Sequence, residues 1–210
     1  MFPYSHQPCI DKRHFARLPL PTTLNNTSVY LNDFAAPLLA VSPTQINLQI
    51  PWEIAGQQSV SVTVVTNGVT SMATTANISN LGPAILTVNQ QGTGQGSILI
   101  SGTSTIANAA NPVNRTQAIS IYCLGLGPIT GTVNSGAANP LSAAYTSISS
   151  PQVTIGGIAG TVLYSGLAPN LVGLYQVNVQ LPLNAPSGPA VPVVLKIGGV
   201  ISNTVTIAVQ

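Results

Sequence analysis

The side chains that could do acid–base chemistry in this 210-residue chain are few and lie near its N-terminus. The carboxylates are Asp11, Asp33 and Glu53, and the histidines are His6 and His14. Hydrolysis by paired acids needs two carboxylates at a set separation, and a Ser-His-acid triad needs a histidine base. Since no carboxylate or histidine follows residue 53, we predict that the protein is not an enzyme.

Metal and cofactor sites have equally little support. Cys9 and the two histidines fall within nine residues, but they lack a paired spacing and a fourth zinc ligand. Hard cations prefer several acidic oxygens. The run Gly92-Thr-Gly-Gln-Gly96 has the composition of a phosphate loop, yet the strand-like Ser97-Ile-Leu-Ile100 follows it instead of a helix. We predict a turn there, no bound metal and no cofactor.

The aromatic residues offer a sugar-binding alternative. Trp52 could be a binding aromatic, although a Trp at a strand end in a β-sandwich more often covers the core. The same two interpretations, core or subunit contact against sugar stacking, apply to four tyrosines: Tyr122, Tyr145, Tyr164 and Tyr175. We favour the structural interpretation for all five side chains.

The cysteines and glycosylation sequons bear on the cellular compartment. Cys123 ends the run Ile119-Ser-Ile-Tyr-Cys123, where strand alternation places it on the inward face with Ile119 and Ile121. It is therefore either a buried free thiol or half of a disulfide with Cys9, within one chain or between two. Four sequons permit glycosylation without requiring it; they begin at Asn25, Asn26, Asn77 and Asn114.

Charge is scarce and unevenly placed. Charged residues make up 4% of the chain, against roughly 25% in an average soluble domain, and only Arg115 and Lys196 are charged after Glu53. A net charge of +2 predicts no binding to nucleic acid or anionic membrane. Half of the charged side chains lie in residues 1–20, which we expect to form a separate arm. The arm holds no apolar run long enough for a signal peptide or a membrane span.

The rest of the chain alternates in the β pattern between Gly, Pro and Asn turns. The clearest strand, Gln45-Ile-Asn-Leu-Gln-Ile-Pro51, recurs 131 residues later as Gln176-Val-Asn-Val-Gln-Leu-Pro182. The offset holds to the last residue, and Asn67-Gly68 and Gly198-Gly199 mark tight hairpin turns in the two copies. This is an internal duplication.

The two copies are unequal in length. The second has front strands near residues 85–88, 96–100 and 118–124, which complete a sandwich of about seven strands. The first begins near Thr23, with only the arm before it. We therefore predict an all-β fold: an arm at 1–20, an incomplete immunoglobulin-like sandwich at 21–81 and a complete one at 82–210. The arm, the second sandwich or a strand from another molecule should cover the apolar cleft of the incomplete sandwich.

Several motifs together resemble one protein family. They are Ala36-Pro-Leu-Leu-Ala-Val-Ser-Pro-Thr-Gln-Ile-Asn-Leu-Gln-Ile-Pro-Trp-Glu53, Gly92-Thr-Gly-Gln-Gly96, Ala110-Asn-Pro112, Gly125-Leu-Gly-Pro128, Gly173-Leu-Tyr-Gln-Val-Asn-Val179 and Ser202-Asn-Thr-Val-Thr-Ile207. This set resembles the C-terminal region of large secreted proteins of Acidobacteria such as Solibacter, which looks like paired IPT/TIG immunoglobulin-like domains. The resemblance covers residues 18–210 and departs at residues 1–17. It implies the fold and secretion, and no activity.

These observations predict a structural protein outside the cell or at its surface. We expect a homo-oligomer or homopolymer, a filament or surface layer, formed by exchange of the arm or a strand between subunits. A nearly neutral surface favours such packing because neighbouring subunits repel each other little. The alternatives are an adhesion or carbohydrate-binding module and a spacer fragment of a larger surface protein.

Overall fold

The computed structural model describes residues 18–210, and these form an all-β protein of antiparallel sheets. The helical element described is a single turn of 3-10 helix at Trp52–Ile54. The predicted all-β class is confirmed, while the immunoglobulin-like type stays a prediction. The predictions that fall on His6, Cys9, Asp11 and His14 lie outside the described residues.

Strands β1 to β7 belong to the first copy of the duplication. They are β1 (Thr27–Leu31), β2 (Phe34–Ala35), β3 (Leu38–Val41), β4 (Ile46–Leu48), β5 (Ser59–Thr66), β6 (Val69–Thr70) and β7 (Thr74–Asn77). One sheet has the order β2-β1-β5-β6, with β7 also paired to β5, and β3 pairs with β4 in a second sheet. The two sheets share a small core: Val29, Leu31, Ala36, Leu38, Ile54 and Val60.

Ten further strands form the second copy. They are β8 (Ala84–Ile85), β9 (Ile98–Ile100), β10 (Ala118–Leu124), β11 (Gln152–Ile155), β12 (Ile158–Ala159), β13 (Thr161–Leu167), β14 (Tyr175–Gln180), β15 (Gly188–Ile197), β16 (Val200–Ile201) and β17 (Val205–Val209). One sheet has the order β13-β14-β10-β8, with β9 also on β10. The other has the order β12-β11-β15-β16, with β17 also on β15.

The two larger sheets pack through a single core. Ile121 and Val177 of one sheet and Val193 and Ile207 of the other are fully buried members of the same apolar cluster. Alternation along each strand explains this burial, because every second side chain points to the inner face. The two larger sheets of the second copy therefore form a β-sandwich, whereas the bounds 82–210 stay a prediction.

The duplication is visible in the strand registers. Val60 and Val62 pair with Ala76 and Thr74 across β5–β7, and the equivalent pairs across β15–β17 are Val191–Ile207 and Val193–Val205. The β3–β4 pair carries an irregularity between Leu38 and Ala40, and β13–β14 repeats it between Val162 and Tyr164. The internal duplication predicted from the sequence is confirmed at the level of backbone pairing.

One serine shows how closely the copies agree. The Ser71 amide donates to the carbonyl oxygen of Val64 over 2.8 Å, and its Oγ accepts a hydrogen bond from the Val64 amide over 3.0 Å. Ser202 makes the same two bonds to Leu195 over 2.8 and 3.0 Å. In each copy the serine thus fastens the chain that follows the β5–β6 or β15–β16 hairpin.

The two copies meet at the loop that holds Ser135 and Gly136. The Gly136 amide donates to the Gln49 side-chain oxygen over 2.6 Å, and the Ser135 hydroxyl donates to the Glu53 carboxylate over 2.6 Å. The Trp52 amide donates to Ser135 Oγ over 2.8 Å, and its indole packs against the core of the second sandwich. The structural interpretation of Trp52 as a residue that covers a core is confirmed.

Candidate functional site

Within residues 18–210 the first copy has two strand edges without a partner strand, and the second copy shows which strands occupy the equivalent places. In the second copy β14 lies between β13 and β10, whereas β4, its equivalent, pairs with β3 alone among residues 18–210. Likewise β17 pairs with β15 and also forms parallel bridges to Gln95 and Val113. Its equivalent β7 pairs only with β5 in the described chain. Both open edges belong to the same incomplete sandwich.

The backbone N–H and C=O groups on the open edge of β4 point in the direction from which another strand would pair. The Gln49 amide donates to the Pro37 carbonyl over 2.8 Å, so its N–H points toward β3. Because successive residues of a strand point their N–H and C=O groups to opposite sides, those of Ile46 and Leu48 point away from β3. A further strand would find two donors and two acceptors there.

The β7 edge repeats the arrangement. In the second copy the Thr206 amide donates to the Gly94 carbonyl over 2.7 Å, and the Thr206 carbonyl accepts from the Gly96 amide over 2.9 Å. Thr75 is the equivalent residue, and its register against β5 is the same. Its backbone groups therefore face the side that residues 94–96 occupy in the second sandwich, where the first has no strand among residues 18–210.

Side-chain burial shows how much apolar surface the missing strands leave uncovered. Five equivalent positions are half-buried in the first copy and buried in the second: Ile46 and Val177, Leu48 and Val179, Val62 and Val193, Val64 and Leu195, Ile78 and Val209. The front half of the second copy, the part before the duplicated strands, also buries eight apolar side chains: Ile85, Ile98, Ala107, Val113, Ile119, Ile121, Cys123 and Leu126. We call the surface formed by Val41, Ile46, Leu48, Val62, Val64, Ala76 and Ile78 the open cleft.

The residue at the position equivalent to Asn203 also differs between the two copies. In the second sandwich the Asn203 side chain accepts from the Ile85 amide over 2.7 Å and donates to the carbonyls of Ile85 and Gly92 over 2.9 and 2.7 Å. These bonds fasten the front half to the start of β17. The equivalent residue is Met72, whose side chain is 91% exposed.

A cavity of about 630 Å³ opens at one end of the cleft, between the β3–β4 turn and the ends of β1 and β5. Its lining carries no charge; it consists of Asn25, Thr27, Val41, Ser42, Pro43, Thr44, Gln45, Ile46 and Thr66. Val41 and Ile46 belong to both the cavity and the open cleft. The surroundings suit an uncharged occupant, since no described side chain in either region could pair with a charge.

The residues with acid–base chemistry are not brought together in the described chain. Asp33 is exposed in the turn between β1 and β2, and Glu53 is exposed and held by Ser135. Within residues 18–210 no three His, Cys, Asp or Glu side chains cluster as metal ligands would. The zinc ligands considered above, His6, Cys9 and His14, lie in the undescribed segment.

Cys123 faces the core as its strand alternation predicts. Cys123, Ile119 and Ile121 are all 0% exposed, and Cys123 forms no disulfide with another residue of the described range 18–210. Burial away from water disfavours the thiolate and raises the pKa of Cys123 to about 12. A disulfide with Cys9 stays a prediction, since Cys9 lies outside the described residues.

The tyrosines serve mainly as packing residues. Tyr175 is buried opposite Cys123, donates its hydroxyl to the Gly127 carbonyl, and has its pKa raised to about 12 by burial and by the nearby Cys123. Burial also raises the pKa of Tyr122 and of Tyr164, and Tyr164 donates to the Leu167 carbonyl over 3.0 Å. Since Tyr145 packs against the same core, the structural interpretation of these residues is supported.

The remaining sequence predictions concern one turn and four exposed asparagines. Gly92 and Gly94 adopt positive φ in a turn that leads to β9, so the turn interpretation of Gly92-Thr-Gly-Gln-Gly96 is confirmed. The four sequon asparagines, Asn25, Asn26, Asn77 and Asn114, are all exposed. Glycosylation of these side chains stays a prediction.

No helix described in residues 18–210 has the length and apolar character needed to cross a membrane. Comparison of the chain with models of protein families, with curated proteins and with solved structures finds no match. The open cleft is therefore the feature of the molecule on which a function can be argued.

Proposed function

We propose that this protein is a non-catalytic structural subunit outside the cell, whose incomplete sandwich is completed by a strand from a neighbouring subunit. The open cleft carries this proposal. Unpaired edges beside apolar surface are templates for pairing with another chain, and natural proteins normally cover them. Strand addition to such an edge combines main-chain hydrogen bonds with apolar side chains that enter the cleft.

Head-to-tail strand donation makes filaments or layers because the donor and the acceptor are different surfaces. Each subunit that accepts a strand still has its own to give, so the assembly does not close. The scarcity of charge after Glu53 supports close packing, since neighbouring subunits repel each other little. An extracellular location is supported by the resemblance to the C-terminal region of secreted proteins, which residues 18–210 carry.

Electron microscopy of the purified chain tests the proposal. We expect negatively stained filaments or layers from the unaltered protein and mostly single subunits from Ile46→Lys, because lysine at an edge opposes strand pairing. The matched control is Leu163→Lys on β13, where the native side chain is already 59% exposed outside the cleft. Monomeric unaltered protein at all concentrations, or filaments unchanged by Ile46→Lys, would reject the proposal.

A further inference from the structure

We propose that the open cleft takes an extended, uncharged strand with apolar residues at alternate positions, paired antiparallel to β4 over Thr44–Gln49 in the register that β10 keeps against β14. The identity of the donor as a neighbouring subunit rests on the proposed function. The chemistry and register of the strand rest on the duplication alone.

The register follows from equivalent pairs. Ile119, Ile121 and Cys123 of β10 lie opposite Val179, Val177 and Tyr175 of β14. The equivalents of these β14 residues, 131 positions earlier, are Leu48, Ile46 and Thr44. Because the β3–β4 and β13–β14 pairs share a register, including its irregularity, a strand on β4 finds the same spacing of backbone groups that β10 finds on β14.

The side-chain pattern follows from what β10 buries. Ile119, Ile121 and Cys123 are 0% exposed and point between the sheets, whereas Tyr122 is half-buried on the opposite face. The occupant therefore needs apolar residues opposite Thr44, Ile46 and Leu48 and tolerates polar residues between them. This pattern would cover the half-buried side chains of the open cleft.

The lack of charged side chains in the lining further restricts which strand can bind in the open cleft. Neither the open cleft nor its adjoining cavity is lined by a charged side chain, and an unpaired charge in such surroundings is strongly disfavoured. Within the N-terminal arm the four charged side chains, Asp11, Lys12, Arg13 and Arg17, all lie in residues 11–17. That part of the arm therefore fits the cleft less well than an uncharged strand.

A peptide-binding experiment tests the inference directly. The probe is a fluorescent peptide of residues 116–125 with Cys123→Ser, and binding to the full chain is followed by anisotropy. We expect saturable binding that weakens at least tenfold when the peptide carries Ile121→Asp or the protein carries Ile46→Lys. The protein variant Leu163→Lys should bind like the unaltered chain. Since the Ile121→Asp comparison changes only the peptide, it does not depend on the folding of a protein variant.

Disulfide trapping tests the register. In a Cys9→Ser background, Gln45→Cys should cross-link to a peptide that carries Tyr122→Cys and Cys123→Ser, with oxidised glutathione as the oxidant. Gln45 is the equivalent of Gln176, which lies opposite Tyr122. Asn47→Cys, two residues along the same face, is the control and should cross-link more slowly. Equal trapping at both positions would overturn the register.

The outcomes separate this inference from the proposed function. Peptide binding without filaments supports the cleft as a strand acceptor and rejects polymerisation. Filaments without peptide binding would reject the side-chain pattern and the register that we derive from β10. Tighter binding of a peptide of residues 9–17, which carries Asp11, Lys12, Arg13 and Arg17, would reject the requirement for an uncharged strand.

Discussion

Two valines at equivalent positions show directly how strongly each copy covers its apolar side chains. Val62 on β5 pairs with Leu31 and Thr74, and Val193 on β15 pairs with Ile155 and Val205. Val193 is fully buried, whereas Val62 is half-buried and forms part of the open cleft. Replacing each valine by alanine removes the same atoms from equivalent backbone positions, so the two costs differ mainly through what covers the side chain.

The expected magnitudes follow from burial. Removing two methyl groups from a buried site costs about 1.6 kcal/mol of transfer free energy, at about 0.8 kcal/mol per group. The cavity left behind adds about 1 kcal/mol when the site cannot collapse, so Val193→Ala should lower the free energy of unfolding by about 2–3 kcal/mol. Because Val62 is already partly exposed to water, removing its methyl groups loses only part of this transfer free energy, and it leaves no closed cavity. Val62→Ala should therefore cost less than about 1 kcal/mol.

Urea unfolding measures the comparison, with far-UV circular dichroism for both sandwiches and the fluorescence of Trp52 for the junction. The protein is kept dilute enough to be monomeric, which light scattering checks. A cost above about 2 kcal/mol for both variants would refute the reasoning, because it would mean that Val62 is covered in the monomer. Adding the peptide of residues 116–125 should raise the cost of Val62→Ala and leave that of Val193→Ala unchanged.

Three further predictions concern the second sandwich, one of them by comparison with the first copy. Asn203→Ala removes three hydrogen bonds to the front half and should cost about 2–4 kcal/mol, whereas Met72→Ala at the equivalent exposed position should change the free energy of unfolding by less than about 0.5 kcal/mol; equal urea midpoints would contradict this. The Cys123 thiol should resist Ellman's reagent at pH 8 until urea unfolds the chain. Because burial raises the pKa of Cys123 from 9.0 to about 12 and that of Tyr175 from 10.0 to about 12, the unfolded chain loses these protons first. The stability present below pH 9 should therefore fall as the pH rises toward 12, and a flat urea midpoint over this range would contradict the prediction.

Patterns local to a strand or a turn were readable from the sequence. Alternation placed Cys123 inward, and Asn67-Gly68 and Gly198-Gly199 marked turns in which all four residues have positive φ. The 131-residue offset revealed the internal duplication, although not the pairing of its strands. These features depend on neighbouring residues or on comparison of the chain with itself, so no partner distant in space was needed to infer them.

Features that depend on distant contacts were not readable. Four of the five two-residue strands, β2, β6, β12 and β16, carry too few residues for a periodicity. Trp52 packs on the second sandwich because Ser135 lies beside it, 83 residues away, and no local pattern encodes that contact. Asn203 also went unrecognised, although the contrast with Met72 at the duplicated position was a signal that could have found it.

The parallel bridges of Gln95 to Thr206 and Val113 to Val209 set the order in which the second sandwich can form. Its front half is joined to its last strand across about a hundred residues, so the sandwich closes only once β17 is in place. At roughly 5–20 residues per second of synthesis, this delay lasts about 5–20 s. Contacts of such long range also make refolding from denaturant slow, on the order of milliseconds to seconds. The first copy, whose described strands span only 27–77, can assemble its own pairs well before that closure.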